Sequence, residues 1–415
     1  MALTLVTACD DGGSASPTST STSRDDVAPT VTTHTDDGIL RLGVLTPLTG
    51  DGARLGRSVE ATVQLAVDEI NDAGGVNGQP VELRVADEGS DIATATAGLD
   101  QLIRQGVDAI VGPTSSTVTL SVLDTIRRHA VLACSPTATA LALDDYPDDG
   151  LFFRTAPSDS LEAHAIARTI DETGRSSVGL LYVDDAYGRP FASSVRDALR
   201  ARSISVTADV PFSSAESGID TEAAVTAVAD AQVIAVIGDA DRGARVVSAI
   251  VEATRGSDAP IVVNDAMRGS PAADLFARLP PEGLERIVGV GPRAITEDED
   301  FMGRLRAVDR EASGLFAVNA FDCVNLIALG AVAAGTSMPT DLAPMIPSVA
   351  TSGSRCLELS DCARDLLEGR NVDYDGPSGQ LQLAFDGDPN RAVYDIFRFG
   401  PGGVEIWREP FLVAP

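Results

Sequence analysis

The sequence predicts an α/β protein of two lobes, each a parallel sheet with helices on both faces. Three observations predict it. From Ile39 onward, strand-like and helix-like runs alternate, the grammar of a parallel sheet covered on both sides. A second series of the same kind follows Phe152-Phe-Arg-Thr-Ala-Pro157. The 415 residues are too many for one ordinary core and fit about two domains.

In the first series, strands are expected at residues 40–45, 81–87, 109–111 and 131–133. The runs between them, 57–71, 94–105 and 117–128, carry apolar residues three or four apart and read as helices. Val59, Val63, Ala66, Val67 and Ile70 form one face, and Gly74-Gly75 stops that helix. The second series has strands at 178–183, 205–210, 233–237 and 261–264, with helices at 192–201, 222–229 and 242–253. Short strand-like crossings at 152–155, 286–290 and around 374–379 form a three-strand hinge. The chain would leave the first lobe (39–154 plus 290–375), build the second (155–289 plus 376–415), return, and finish on it. Runs 380–385, 393–399 and 404–407 alternate around Asp386-Gly387 and Gly400-Pro-Gly-Gly403, so they read as hairpins.

Composition excludes several functions. Asp and Glu number 61 against 31 basic residues, all Arg, for a net charge of -30. Such a surface repels phosphate backbones and anionic headgroups, so no nucleic acid partner is expected. A like-charged surface also keeps the chain soluble, and a monomer is expected. No run of eighteen apolar residues is found, so no membrane span is expected.

The first residues address the compartment. Val6-Thr-Ala-Cys9 resembles a bacterial lipobox, in which Cys9 receives the lipid, although the stretch before it is shorter than a full signal. The alternative is a chance cysteine in a disordered tail. Residues 10–38, rich in Ser, Thr, Asp and Pro, read as a solvated tether. The expected location is the cell envelope, outside the cytoplasm and lipid-anchored. There, Cys356 and Cys362, flanking Leu357-Glu-Leu-Ser-Asp361, are the expected disulfide, while Cys134 and Cys323 read as plain buried thiols.

Catalytic motifs are missing. The sequence has no phosphate-binding Gly-rich loop, no nucleophile elbow and no His-Glu-x-x-His. His34, His129 and His164 are scattered and read as surface residues. Asp386-Gly-Asp-Pro-Asn390 has Phe397 where a calcium loop needs a bidentate Glu, and so reads as a turn. Asp144-Asp145 and Asp148-Asp149 read as a solvated turn. No enzyme, cofactor or metal is expected.

The remaining signal lies in loops at the carboxyl ends of strands, where open α/β sheets bind ligands. Val111-Gly-Pro-Thr-Ser-Ser-Thr117 opens a helix, and Ser135-Pro-Thr-Ala-Thr-Ala140 follows the next strand. Hydroxyls and free N–H groups at a helix N-terminus suit a carboxylate. Ordinary capping by Ser115 or Ser116 is the competing role. In the second series, Tyr187, Asp239 and Asp265 follow strands. An aspartate there could meet an amine, or could cap a helix or pair with an Arg.

Together these segments resemble the type I periplasmic binding proteins of the leucine/isoleucine/valine family, receptors of ATP-binding-cassette importers. The resemblance covers residues 38–415 and rests on 39–50, Asn71-Asp-Ala-Gly-Gly-Val-Asn-Gly78, 111–116, 152–160, 181–188, 319–326 and Asp375-Gly-Pro-Ser-Gly379. It implies two Rossmann-like lobes closing on a small ligand, with a membrane permease as partner. It also implies that Ser116, the Ala138 backbone and Thr139 hold the ligand's α-carboxylate, while Asp265 meets its ammonium and Tyr187 contributes from the second lobe. Two positions depart from the leucine-specific pattern: Leu55 and Asp239 stand where aromatics are expected. A second acid at Asp239 favours a more polar or cationic ligand. Alternatives are a clamshell sensor feeding a signalling partner, or a receptor for small amides or urea.

Overall fold

The computed structural model describes residues 34–50, 52–212, 221–268, 270–293, 299–400, 405–407 and 410–414. Cys9 and residues 10–33 of the expected tether lie outside the described residues. Residues 34–38 do not behave as a free tether. His34 Nε2 meets the His129 carbonyl at 3.1 Å, and its Nδ1 lies 3.5 Å from the buried Asp108 carboxylate. The expectation of a surface histidine fails here, because Asp108 offers a charge partner that raises the imidazole pKa.

The first sheet is formed by β1 (Arg41–Thr46), α1 (Ala53–Asp72), β2 (Glu82–Asp87), α2 (Ile92–Arg104), β3 (Ala109–Val111), α3 (Ser116–Arg128), β4 (Leu132–Ser135) and β5 (Phe152–Arg154). Its strand order is β2-β1-β3-β4-β5, all parallel. Local chemistry sets the ends of its helices. Asp91 caps α2 by accepting from Thr94 N at 2.9 Å. Beyond α1, Gly75 has φ 76°, and a Cβ there would stand 2.0 Å from the Gln79 carbonyl. Only glycine fits that turn.

After β5 the chain enters α4 (Asp159–Asp171), then β6 (Ser177–Val183), α5 (Gly188–Ala201), β7 (Ser205–Phe212), α6 (Thr221–Val228), β8 (Val233–Ile237), α7 (Arg242–Ala253), β9 (Ile261–Val263), α8 (Ser270–Phe276), α9 (Pro281–Leu284) and β10 (Ile287–Pro292). The order β7-β6-β8-β9-β10 repeats the first sheet's pattern. The chain then returns through α10 (Glu299–Val308), α11 (Ala317–Ala334), α12 (Pro339–Leu342), α13 (Met345–Val349), β11 (Ser354–Cys356), α14 (Leu359–Leu367) and β12 (Val372–Tyr374). It finishes with β13 (Ala392–Phe399), β14 (Glu405–Trp407) and β15 (Phe411–Val413), antiparallel additions to the second sheet's edge beside β10. The expected strand at 380–385 is reduced to one antiparallel bridge, Leu383 to Pro389, with Ala384 N donating to the Asp388 carbonyl (2.8 Å) and Asn390 N to the Gln382 carbonyl (3.2 Å) across the Asp386-Gly387 turn.

Each sheet is covered on both faces. In the first lobe one face packs α1 and α11, with Val59, Val63 and Leu326 in its core; the other packs α2 and α3. α11 is long and apolar enough by length and composition to cross a membrane, but it is a core helix. Several of its polar residues bond inside the fold: Asp322 accepts from Tyr374 Oη (2.7 Å) and Ser378 N (2.9 Å), and Asn325 donates to Tyr374 Oη (2.7 Å). Cys356 and Cys362 lie 2.04 Å apart, sulfur to sulfur. Cys134 and Cys323 also stand at bonding distance, 2.06 Å, which overturns the expectation of two plain thiols. The reason is tertiary: β4 and α11 are brought into one core across 189 residues of sequence.

Candidate functional site

In both sheets the strand order reverses next to the first strand, between β1 and β3 and between β6 and β8. The carboxyl ends of strands beside such a reversal form a crevice, because successive loops turn away in opposite directions. The first lobe's polar loops leave β3 and β4 there. A buried carboxylate, Glu88, builds the first of them. Its Oε2 accepts from Thr114 N (2.8 Å) and Thr114 Oγ1 (2.7 Å), and its Oε1 accepts from Ser115 N (2.8 Å). Burial pushes the Glu88 pKa up, and these bonds oppose the rise. Ser135 Oγ donates to the Pro113 carbonyl (2.6 Å), and Thr137 Oγ1 donates to the Thr114 carbonyl (2.6 Å), lacing the two loops together.

The expected carboxylate-binding residues divide by role. Ser115 caps α3, its Oγ accepting from Val118 N at 3.4 Å. Ser116 Oγ accepts from Ala140 N at 3.3 Å, which leaves its own proton available to donate. Ala138 does not offer a free backbone donor: its N–H is given to Ser135 Oγ at 3.0 Å, because the loop folds back on that hydroxyl. Thr139 is 8% exposed, and its carbonyl accepts from Asp159 N at 2.9 Å, at the start of α4. Leu55, in the first turn of α1, packs against the first lobe's core.

On the second lobe, Asn264 organises the strand ends. Its Oδ1 accepts from Gly238 N (3.0 Å) and its Nδ2 donates to Tyr187 Oη (2.9 Å). Asp265 follows β9, and its N–H donates to Glu162 Oε1 at 2.8 Å. Gly291 on β10 leaves it room, since a Cβ there would lie 3.0 Å from the Asp265 Cβ. Asp239 is not a free acid. It accepts from Asp241 N (3.0 Å) and Arg242 N (2.8 Å) and is ion-paired to Arg242, whose guanidinium also reaches Asp185 at 3.5 Å. One helical turn separates Asp239 from that arginine, so its charge is consumed locally.

The sequence reading missed Asp159 and Glu162 at the N-terminus of α4, both 1% exposed. Burial, then the charge of Asp265, pushes both carboxyls well above the usual range. Burial raises Asp265 too, while Glu162 and nearby donors oppose the shift. Acids in a helix's first turn ordinarily answer the helix dipole; the available signal was their place one step past a crossing. Among the described residues no group of His, Cys, Asp and Glu is placed to hold a metal ion.

A family model described as periplasmic binding protein matches residues 39–394. The chain belongs to the periplasmic binding protein family. Among relatives of this periplasmic binding protein, the Leu/Ile/Val-binding protein BraC3 of Rhizobium johnstonii is 32% identical over 168 residues, 40% of this chain and 45% of the relative. The match thus spans less than half of that relative. The substrate-binding protein BasB of a chemotactic signal transduction system in Halobacterium salinarum is 28% identical over 381 residues, 88% of each chain. The fold is similar to that of a Streptococcus pneumoniae branched-chain amino acid transporter substrate-binding protein solved with isoleucine, at TM-score 0.69 and 23% identity, covering 91% of this chain and 100% of that one. The family is thus that of the periplasmic binding proteins, and the fold is similar to that of a solved branched-chain amino acid substrate-binding protein.

Proposed function

We propose that this chain is the extracytoplasmic substrate-binding component of an ABC importer, tethered through lipid on Cys9, and that it clasps an amino acid between its lobes. The observation that carries this reading is the meeting of two chemistries at the reversal points: a hydroxyl-lined pair of loops on one lobe and Asp265 on the other, joined through the Thr139–Asp159 contact. The Ser116 hydroxyl, with Thr139, would take the ligand's carboxylate, and Asp265 its ammonium, with Tyr187 alongside. Leu55 would contribute an apolar wall, and the lobes would hinge near residues 154–155, 289–290 and 375–376. Each charge-assisted hydrogen bond contributes about 1.5–3 kcal/mol, so a few of them support micromolar affinity after ordering costs. Only contacts made to both lobes favour the closed form, which a permease would then read.

A thermal-shift panel of all amino acids, small amides and urea tests the reading. An amino acid should raise the melting temperature in a concentration-dependent way, and Ser116→Ala should weaken it. A shift with urea or amides alone rejects the amino-acid assignment. A sensory role is the second reading, favoured by the full-length likeness to a chemotactic substrate-binding protein. Stimulation of a reconstituted permease–ATPase pair by the liganded protein supports import, and its absence supports sensing.

A further inference from the structure

We infer that the cleft is built for a ligand with two cationic groups, a basic amino acid of the lysine or arginine type, whose second cation is received by Asp159 and Glu162. This rests on the reading of the cleft as an amino-acid site and names the side chain it selects.

Three carboxylates, from Asp159, Glu162 and Asp265, lie together where α4 meets the end of β9. One would serve an α-ammonium. The others are in excess, and they are not satisfied. Both Oδ atoms of Asp159 and the Oε2 of Glu162 are buried without a hydrogen-bond partner, as is the Oη of Tyr394 beside them. The Thr139 hydroxyl faces Asp159 closely enough to lower its pKa but does not reach hydrogen-bond geometry. A buried acceptor without a donor costs free energy that a ligand's N–H groups would recover.

The nearby guanidiniums are engaged elsewhere. Arg154 is ion-paired to Asp144 and Asp388, and Arg268 donates to Asp395 (3.0 Å) and the Pro292 carbonyl (2.5 Å). The three acids are not placed to share a metal ion, so the complement is an organic cation carrying several N–H donors. Tyr187 and Tyr394 lie close enough to the acids to feel their charge. A branched-chain side chain would instead set methyl groups against unpaired carboxylate oxygens.

Calorimetry on the full chain with L-lysine and L-norleucine isolates the second cation, since the two differ only in the terminal ammonium. Lysine should bind about a hundredfold more tightly. The isosteric variants Asp159→Asn and Glu162→Gln should each weaken lysine about tenfold or more and narrow its margin over norleucine. Norleucine or leucine binding as tightly as lysine, or variants that leave lysine unaffected, would overturn the inference while the amino-acid reading stands. Cadaverine, which lacks the carboxylate, separates the two claims. Tighter binding of cadaverine than of lysine would uphold the acidic subsite and reject the carboxylate anchor on Ser116 and Thr139. No binding by any amino acid or diamine would reject both.

Discussion

At the residue scale, the decisive groups are buried charges whose partners come from distant sequence. Asp265 is fixed by its backbone bond to Glu162 and by the space that Gly291 leaves. Asp265→Ala should weaken an amino-acid ligand about a hundredfold, roughly 3 kcal/mol, because a ligand ammonium would lose its charge partner. Unchanged affinity in calorimetry rejects the assignment. Arg154 is 0% exposed and holds Asp144, Asp388 and the Ala140 carbonyl at once. It therefore ties the first crossing to both the β4 loop and the 386–390 turn. Arg154→Ala would strand two acids, and a loss of about 3–5 kcal/mol is expected in denaturant melts. A loss below about 1 kcal/mol would show that water replaces the guanidinium, as at exposed pairs.

At the scale of elements, the β3 and β4 loops, which we propose take the ligand, are held by their own polar lacing. Glu88, Ser135 and Thr137 spend their bonds on backbone groups of the β3 and β4 loops, so those loops present preorganised hydroxyls. The crossings are stitched by Asn319 and Thr155, which exchange hydrogen bonds of 2.8 and 2.9 Å. The two cystine pairs differ in what they close. Cys134–Cys323 spans 189 residues and Cys356–Cys362 only 6. In the chain-entropy model these loops correspond to about 5 and about 2 kcal/mol. Replacing Cys134 and Cys323 together by Ser should lower the melting temperature well below that of the Cys356/Cys362 double variant. Equal melting temperatures would mean that β4 and α11 stay together by packing alone.

At the scale of the whole molecule, burial of acids shapes the response to pH. Asp322 and Asp388 are each pushed up to about 6, mainly by burial. An unfolded carboxyl loses its proton near pH 4. The folded chain therefore binds more protons across the window from about 4 to 6, and the stability these two groups contribute below it is lost as pH rises through 6. Asp159 and Glu162 act in the same direction. The unliganded protein should melt at a higher temperature at pH 5 than at pH 7.5. A flat profile would show these side chains to be ionised throughout. A cationic ligand should offset the loss, so its thermal shift should grow with pH.

Much of this architecture was legible because it is written in local pattern. Alternating runs marked the strands of both sheets, with β3, β8 and α7 at the boundaries expected, since a buried parallel strand must be apolar and its covering helix amphipathic. The polar loops of the candidate site were placed by their position after strands, and the pairing of Cys356 with Cys362 followed from their nearness in sequence. What the chain could not show in one dimension was which charges lose their solvent. Asp239 and Asp265 look alike in sequence, yet one is consumed by Arg242 and the other joins the buried Asp159 and Glu162. Asp159 and Glu162 look like ordinary helix-start acids until packing takes both from water. The pairing of Cys134 with Cys323, the clamp on Arg154 and the seating of His34 on Asp108 arise the same way. Periodicity depends on neighbours a few residues apart and is carried by the sequence itself. Desolvation and charge pairing depend on groups a hundred or more residues away, and only the folded chain decides them.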